Sequence, residues 1–347
     1  RSTPSNSSAA SDVYKRQEKR IPGLPFLTKY GGRGQGQLGL AIAVEEISRV
    51  CPGFGATIAA HSGLASEIIY AFGTEEQKQK YVPFFANGEK LIAVGATEPE
   101  YGTDILHATS TARLEGDEYV LNGEKYMILN APVANTMVIL ARTEKGLSWF
   151  IIDVPTKGVT TEELNTMGLS GATVGRIKLE NVRVPKENLV GGKEMEGKGG
   201  QMMLAALDVS RIPITAQAIG LAQGALDEAV KWMKERKQFG IPLAKFQGLR
   251  WKIARMATNI EAARLLTYKA AWLEDQGRKH TIETSMAKFF GATIAVEVAR
   301  EAVQIHGGRG YLKDYKVEMF YRDAKIIEIY EGTSEVQLMQ ISAGILG

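Results

Sequence analysis

The sequence predicts an α+β multidomain chain in three parts: an incomplete helical N-terminal domain over 18–90, a central β barrel or sandwich over 91–195, and a C-terminal four-helix bundle over 196–347. Three observations carry this reading. Apolar residues recur at helical spacing in the first part, alternate with polar ones in the second, and return to a near-heptad helical period from Met202 onward. Helices and strands segregated into blocks belong to α+β architectures rather than to alternating βαβ folds.

Residues 1–17 (RSTPSNSSAASDVYKRQ) lack the apolar segment of a targeting peptide and resemble a translated sequencing adapter. They are expected to be a non-native, disordered leader before a sequence that starts at Glu18. Leu40 to Val50 and Ala56 to Phe72 are rich in Ala, Ile and Leu at helical spacing, and Gly73-Thr74-Glu75-Glu76 reads as a stop followed by a new start. Gly34-Gln35-Gly36-Gln37-Leu38-Gly39 fits G-x-G-x-x-G, but no strand precedes it and no βαβ unit follows, so these are glycines before a helix and not a dinucleotide site. The texture changes near Leu91. Ser110 to Ile128 alternates apolar and polar residues with Asn122-Gly123 between the runs, which predicts a hairpin closed by a type I′ turn there. Thr136 to Leu140, Leu147 to Val154 and Arg176 to Val184 continue as strands. In the last part, Ile219, Ala222, Leu226, Val230 and Met233 form one stripe, and Leu249, Ile253, Met256, Ile260, Ala263 and Thr267 a second. Ile282, Met286, Phe289, Val296 and Val303 form a third, and Thr333 to Leu346 reads as a final helix. Ala216, Ala218, Ala292 and Ala295, beside these stripes, suggest further helix faces buried between subunits.

Of the 42 Lys and Arg and 39 Asp and Glu, three basic residues and one acidic residue lie within 1–17, so the remainder carries 39 and 38, a net charge of +1. That balance argues against a nucleic-acid or membrane-surface partner. A single cysteine, Cys51, excludes a disulfide framework and any cysteine-based metal site. His61, His107, His280 and His306 are scattered without ligand spacing, and no metal is expected. No run approaches the ~18 uninterrupted apolar residues of a membrane span. The expectation is a soluble cytoplasmic protein. With no triad and no P-loop, redox chemistry would require an external cofactor.

The stretch Arg322-Asp323-Ala324-Lys325-Ile326-Ile327-Glu328-Ile329-Tyr330-Glu331-Gly332-Thr333-Ser334-Glu335 stands out near the C-terminus. A helical region ends at Gly332 and a fresh helix starts from Thr333 or Ser334, leaving Glu331 on the break. A carboxylate on such a corner can project into a cavity and hold a raised pKa. From these residues alone the commoner account is a solvated carboxylate at a helix end. Ile329-Tyr330-Glu331-Gly332-Thr333-Ser334-Glu335-Val336-Gln337 is, however, similar to a motif of the acyl-CoA dehydrogenases. Further motifs repeat the resemblance in order from about Gly31 to Gly347. They are Phe72-Gly73-Thr74-Glu75-Glu76-Gln77-Lys78, Thr97-Glu98-Pro99 with Gly102-Thr103-Asp104, Asn122-Gly123-Glu124-Lys125, Val182-Arg183-Val184-Pro185, Glu235-Arg236-Lys237-Gln238-Phe239-Gly240, and Gln304-Ile305-His306-Gly307-Gly308-Arg309-Gly310-Tyr311.

What the resemblance implies can be placed residue by residue. Glu331 takes the place of the catalytic base. Thr97, Thr103, Met127, Leu129, Arg236, Phe239, Gln304, Gly308, Thr333 and Glu335 take positions that hold FAD, Arg236 and Phe239 reaching the cofactor of a neighbouring subunit. A guanidinium fork suits pyrophosphate, and a glycine lets backbone approach a phosphate closely. Thr103, Asp208, Arg211, Tyr330 and Gly332 lie where the family meets its acyl-CoA substrate. The implied reaction is α,β-dehydrogenation: Glu331 takes the α-proton as the β-hydride passes to FAD, with hydrogen bonds to the thioester oxygen stabilising the developing enolate. An electron-transfer flavoprotein and a homodimer or homotetramer are the implied partners. Some members carry the base on an earlier helix, at the position of Ser210, which cannot serve. Met127 and Leu129 replace an aromatic ring and a hydroxyl beside the flavin, and Met167-Gly168-Leu169-Ser170-Gly171-Ala172 lacks an arginine and a serine of the family pattern. These departures leave two alternatives: an enoyl-CoA reductase or a dehydrogenase with another electron acceptor, and a non-catalytic flavin-binding member. The first helices of the family pattern are also absent.

Overall fold

The computed structural model describes residues 20–347, and the expectation of a disordered leader over 1–17 lies outside them. By backbone contacts the chain forms two compact units. One comprises the described residues up to Leu40 with Ala60–Leu164 and Val174–Ala206; the other comprises Ala41–Ala59, Asn165–Thr173 and Leu207–Gly347. The helices read from sequence as one N-terminal domain are therefore divided between the two.

The early helices are α1 (Gly36–Ser48), α2 (Pro52–Ala60), α3 (Ser66–Phe72) and α4 (Glu75–Ala86), with a wide π-type turn at His61–Ala65 between α2 and α3. The start of α4 follows its sequence signal. Thr74 accepts a hydrogen bond from the Gln77 backbone while the Gln77 side chain accepts one from the Thr74 backbone, which satisfies two donors the helix end would leave orphaned. Gly34 and Gly36 adopt positive φ (62° and 66°) on entry to α1, a helix start with no strand before it among the described residues.

In the first unit, seven strands form one curled sheet: β1 (Ile92–Gly95), β2 (Thr111–Glu115), β3 (Glu118–Leu129), β4 (Thr136–Thr143), β5 (Gly146–Asp153), β6 (Val159–Glu163) and β7 (Val174–Pro185). The order is β1-β4-β2-β3-β7-β6, with β5 on the far edge of β4. Strand β4 is buried on both faces, which explains its unbroken apolar run Met137–Ala141. The edge strand β6 exposes Thr160, Thr161, Glu162 and Glu163, polar residues that discourage pairing with another chain. Tyr119, Leu121, Ile139, Phe150, Ile177 and Leu179 of the sheet pack into one core.

The hairpin turn is not where the sequence put it. Strands β2 and β3 pair out to Glu115 opposite Glu118, so the loop is Gly116-Asp117, with Gly116 at φ 67° as the first central residue of a two-residue turn. Asn122-Gly123 lies inside β3 at a register shift against β7. Asn122 exchanges hydrogen bonds with Asn181, and a Cβ on Gly123 would fall 2.3 Å from Ser110 Oγ. The same residue pair that makes a turn here marks a bulge instead.

The second unit contains most of α5 (Gly199–Glu235), followed by the short strands β8 (Lys237–Gln238) and β9 (Ile241–Pro242), α6 (Gln247–Asp275), α7 (Thr281–His306), α8 (Lys316–Ala324) and α9 (Ser334–Leu346). Residues 41–59 pack here because α5 offers them glycines: a Cβ on Gly220 would fall 2.1 Å from the Glu45 carbonyl oxygen, and one on Gly224 2.2 Å from that of Arg49. Arg264 on α6 pairs with Glu45 at 2.8 Å, and Asp227 on α5 with Arg49 at 2.6 Å. Ala216, Ala218, Ala292 and Ala295 are fully buried within this single chain, so they are not subunit contacts. Small residues let α5 and α7 approach closely, and a Cβ on Gly291 would meet Thr215 at 2.6 Å. The buried face of α7 is accordingly small and polar (Thr284, Ser285, Ala287, Lys288), while the predicted stripe Ile282, Met286, Phe289, Val296 and Val303 is only half-buried. Helix α5 is long and apolar enough to cross a membrane, a property that counting uninterrupted apolar residues did not register; 72% of its most apolar window is buried inside the protein, as in a core helix.

Candidate active site

Helix α8 gives way to a tight turn at Lys325–Glu328, and the chain then bends before α9 starts. Thr333 caps α9 by accepting a hydrogen bond from the Val336 backbone. On the bend, Glu331 has φ 55° and Gly332 φ 90°. A left-handed non-glycine residue is uncommon and costs energy, so it persists only where its surroundings hold it. Gly332 has no alternative, because a Cβ there would fall 2.6 Å from Gln337 Nε2 and 3.1 Å from Arg211 Nη2.

Three helices hold this corner. From α5, Arg211 Nε donates to the Glu331 carbonyl at 2.9 Å and Ser210 Oγ donates to the Glu331 carboxylate at 2.5 Å. From α7, Lys288 Nζ donates to the Gly332 carbonyl at 2.6 Å, and from α9, Gln337 Nε2 donates to the same oxygen at 3.0 Å. Pro213, inside α5, removes a backbone donor from the turn that carries Ser210 and Arg211. Burial lifts the Glu331 carboxyl to about 7, against the opposing pull of the Ser210 hydroxyl, Arg211 and Lys288. Burial also lowers Lys288 to about 8. The Tyr330 phenol, buried beside Glu331, is held well above its usual range and donates to Gln217.

Of the residues expected at the substrate, Asp208, Arg211, Tyr330 and Gly332 lie at this corner, but Arg211 and Asp208 are occupied. Arg211 is only 2% exposed, and its guanidinium also donates to Asp208 at 3.1 Å and Gln340 at 2.7 Å. Asp208 also accepts from Thr281 at 2.7 Å. Arg211 thus acts as an internal strut and not as an open ligand contact. Ser210, unable to be a base, donates to the Glu331 carboxylate. Lys288 and Gln337 were missed from the sequence. The one available signal was a lysine amid Ala287, Phe289 and Phe290, because a lysine with no exposure must be satisfied inside.

The residues expected around a flavin fall into two groups. In the first unit, Tyr126 N donates to the Thr97 carbonyl at 2.9 Å, tying the loop after β1 to the strand that carries Met127 and Leu129. Met127 sits on a second bulge of β3 at φ 58° and is 45% exposed, and Leu129 is half-buried. Beneath Thr97, Glu98 and the fully buried Lys125 pair at 2.7 Å. Although burial opposes it, bonds from Lys125, Thr109 and Ser110 hold Glu98 down at about 2. Thr103 is exposed on the loop that follows.

In the second unit, Arg236 directly follows α5, and Phe239, at φ 52° and 94% exposed, sits in the β8–β9 turn. Gln304 and Gly308 are exposed at the end of α7, with nothing within 4 Å of a Cβ built on Gly307 or Gly308. Ser334 Oγ, next to the Thr333 cap, is buried without a hydrogen-bond partner among the described residues. Bare glycine backbone, a guanidinium and an orphaned hydroxyl are groups whose chemistry suits a diphosphate, and an exposed ring suits an aromatic system.

Known proteins resemble this chain over nearly its whole length. Residues 11–89, 93–182 and 197–346 match the N-terminal, middle and C-terminal domains of acyl-CoA dehydrogenase, respectively. The short-chain specific acyl-CoA dehydrogenase of Clostridium acetobutylicum is 47% identical, the match covering 96% of this chain and 89% of that one. The CarC subunit of the caffeyl-CoA reductase–Etf complex of Acetobacterium woodii is 43% identical, over 93% of this chain and 86% of that one. The structure of butyryl-CoA dehydrogenase from Megasphaera elsdenii superposes with a TM-score of 0.93 at 39% identity, covering 96% and 89% of the two chains.

Proposed function

Because the chain belongs to the acyl-CoA dehydrogenase family, we propose that it is an FAD-dependent oxidoreductase that desaturates the Cα–Cβ bond of an acyl-CoA thioester, with Glu331 as the base. The observation that carries the role of Glu331 is its environment: a desolvated carboxyl near 7, held on a left-handed corner by three helices. A general base works best when its pKa lies near the operating pH, so a carboxyl lifted to about 7 is far better suited to accept a proton than a solvated one.

Bound FAD supplies the two-electron acceptor for the β-hydride. The chain's own residues do the rest. Ser210 fixes the rotamer of Glu331 through the bond to Oε2, so that the other oxygen is the one left to take the α-proton. Arg211 and Lys288 fix the backbone beneath it. Thr97, Thr103, Met127, Leu129, Arg236, Phe239, Gln304, Gly308, Thr333 and Glu335 are the residues that would hold the flavin. In this reading the two electrons leave to an electron-transfer flavoprotein. The active assembly is a homodimer or homotetramer in the cytoplasm. The name of the Clostridium acetobutylicum relative points to short acyl chains.

The test is Glu331→Gln, which keeps the size of the side chain and removes its ability to accept a proton. FAD and acyl-CoA binding should persist, while anaerobic bleaching of the flavin by a good substrate in stopped flow falls by ~10²–10⁴. A fall of less than about tenfold, roughly 1.4 kcal/mol of barrier, would remove Glu331 from the mechanism.

A second reading is favoured by the reductase relative: the same site run towards enoyl-CoA reduction. A carboxyl near 7 serves there too, because it is protonated often enough to return the α-proton. The two directions differ in which acyl-CoA, saturated or α,β-unsaturated, changes the flavin spectrum at equilibrium.

A further inference from the structure

We propose that Lys288 is a positioning residue for this reaction: clamped on the Gly332 carbonyl, it locks the left-handed Glu331 corner and places a fixed positive charge behind the Glu331 carboxyl. The proposal rests on Glu331 being the base. Lys288 has no exposure, yet among the described residues no carboxylate lies within ion-pair distance of its ammonium. Its ammonium donates to a main-chain oxygen that Gln337 already serves. That carbonyl would remain satisfied without the lysine, so a hydrogen bond alone does not account for burying an ammonium, which is expensive. What a neutral donor could not supply is charge. The charged groups around it are Glu331 on the corner, Arg211 and its partner Asp208 on α5, Glu328 on the turn after α8, and Glu335 at the start of α9. Of these, Glu331 acts on Lys288 most strongly, and Lys288 in turn helps to hold Glu331 down against desolvation. Removing the charge should therefore leave the base protonated at neutral pH.

The test uses flavin-loaded enzyme and compares Lys288→Met with Lys288→Arg. In wild type the rate of substrate-driven flavin bleaching should rise with pH through a midpoint near 7. In K288M the midpoint should move alkaline by on the order of one pH unit, and K288R should restore it. A carboxyl-carbon NMR titration without substrate, with the Glu331 signal assigned by its loss in E331Q, should show the same displacement. An unshifted midpoint in K288M overturns the proposal, whatever its effect on stability. If K288M does not fold, the wild-type titration decides: the Glu331 signal should show a second inflection near pH 8 as Lys288 loses its proton. A single-step curve overturns the proposal. An E331Q enzyme that bleaches as fast as wild type sinks the base and this proposal together. A slow E331Q with an unshifted K288M sinks this proposal alone.

Discussion

Glu331 is costly to the fold twice over, through a left-handed backbone and through a carboxyl drawn out of water. The second cost sets a pH dependence of stability. The carboxyl sits near 7 in the folded chain against 4.5 when free, so folding favours its protonated form. That contribution is complete below about pH 4.5 and is lost as pH rises through about 7. Glu331→Gln, which cannot ionise, should therefore be more stable than wild type at pH 8 by on the order of 1–3 kcal/mol, and equal to it at pH 4. Denaturant melts at the two pH values measure the difference, and an equal gap at both would contradict the assignment. At this scale the sequence was legible where function is local. Glu331, Gly332 and Thr333 are adjacent, and a glycine after a carboxylate on a helix break is visible in one line of letters. Lys288 was not visible, because it comes from 44 residues away and only the fold shows that no solvent reaches it. Arg211 was legible as part of the site but not as a buried strut, since its partners Asp208, Gln340 and the Glu331 carbonyl come from two helices and the corner itself.

Among the elements, α4 shows what a short-range signal can fix. Its capping box needs only Thr74 and Gln77, three residues apart, so the sequence placed its start correctly. Gln77 also binds the carbonyls of Glu187 and Leu189, at 2.7 and 2.8 Å, so the helix start anchors the chain beyond β7 as well. Thr74→Ala should cost about 1 kcal/mol, within the ~0.5–2 range of cap deletions, while flavin content stays unchanged. Urea unfolding of holoenzyme followed by far-UV circular dichroism reads the first quantity, and absorbance of the purified protein reads the second. No loss of stability would mean that the second donor set at Gln77 holds the helix start alone. The β2–β3 hairpin shows the limit of such signals. Gly116-Asp117 and Asn122-Gly123 are both good turn pairs, and the choice between them is made by pairing of β3 with β7, a partner more than fifty residues away.

For the whole molecule, large apolar side chains lie open on the second unit: Phe239 at 94% exposure, Met339 at 70%, Trp251 at 63% and Leu265 at 62%. If they adjoin, such side chains would suit an interface between copies of the chain. Holoenzyme should sediment at two or four times the 37.8 kDa of the chain. A flavin-loaded species of one chain mass would contradict the proposal that subunits share the cofactor. The order of the three sequence blocks was legible from periodicity, but the grouping of residues 41–59 and 165–173 with the C-terminal helices was not, because grouping depends on tertiary partners such as Gly220 and Arg264. This grouping has a consequence for biosynthesis. Ala41, Val44, Ala56 and Ala59 are all fully enclosed in the finished protein. They leave the ribosome long before α5 to α9 exist, by about fifteen to sixty seconds at ordinary elongation rates. During that interval α1 and α2 emerge as apolar helices without their final neighbours, and they can dock only once α5 and α6, which carry Gly220, Gly224, Asp227 and Arg264, have followed. A nascent chain stalled before α5 should therefore recruit a chaperone at this early segment rather than at the β sheet, whose partners are all synthesised by then.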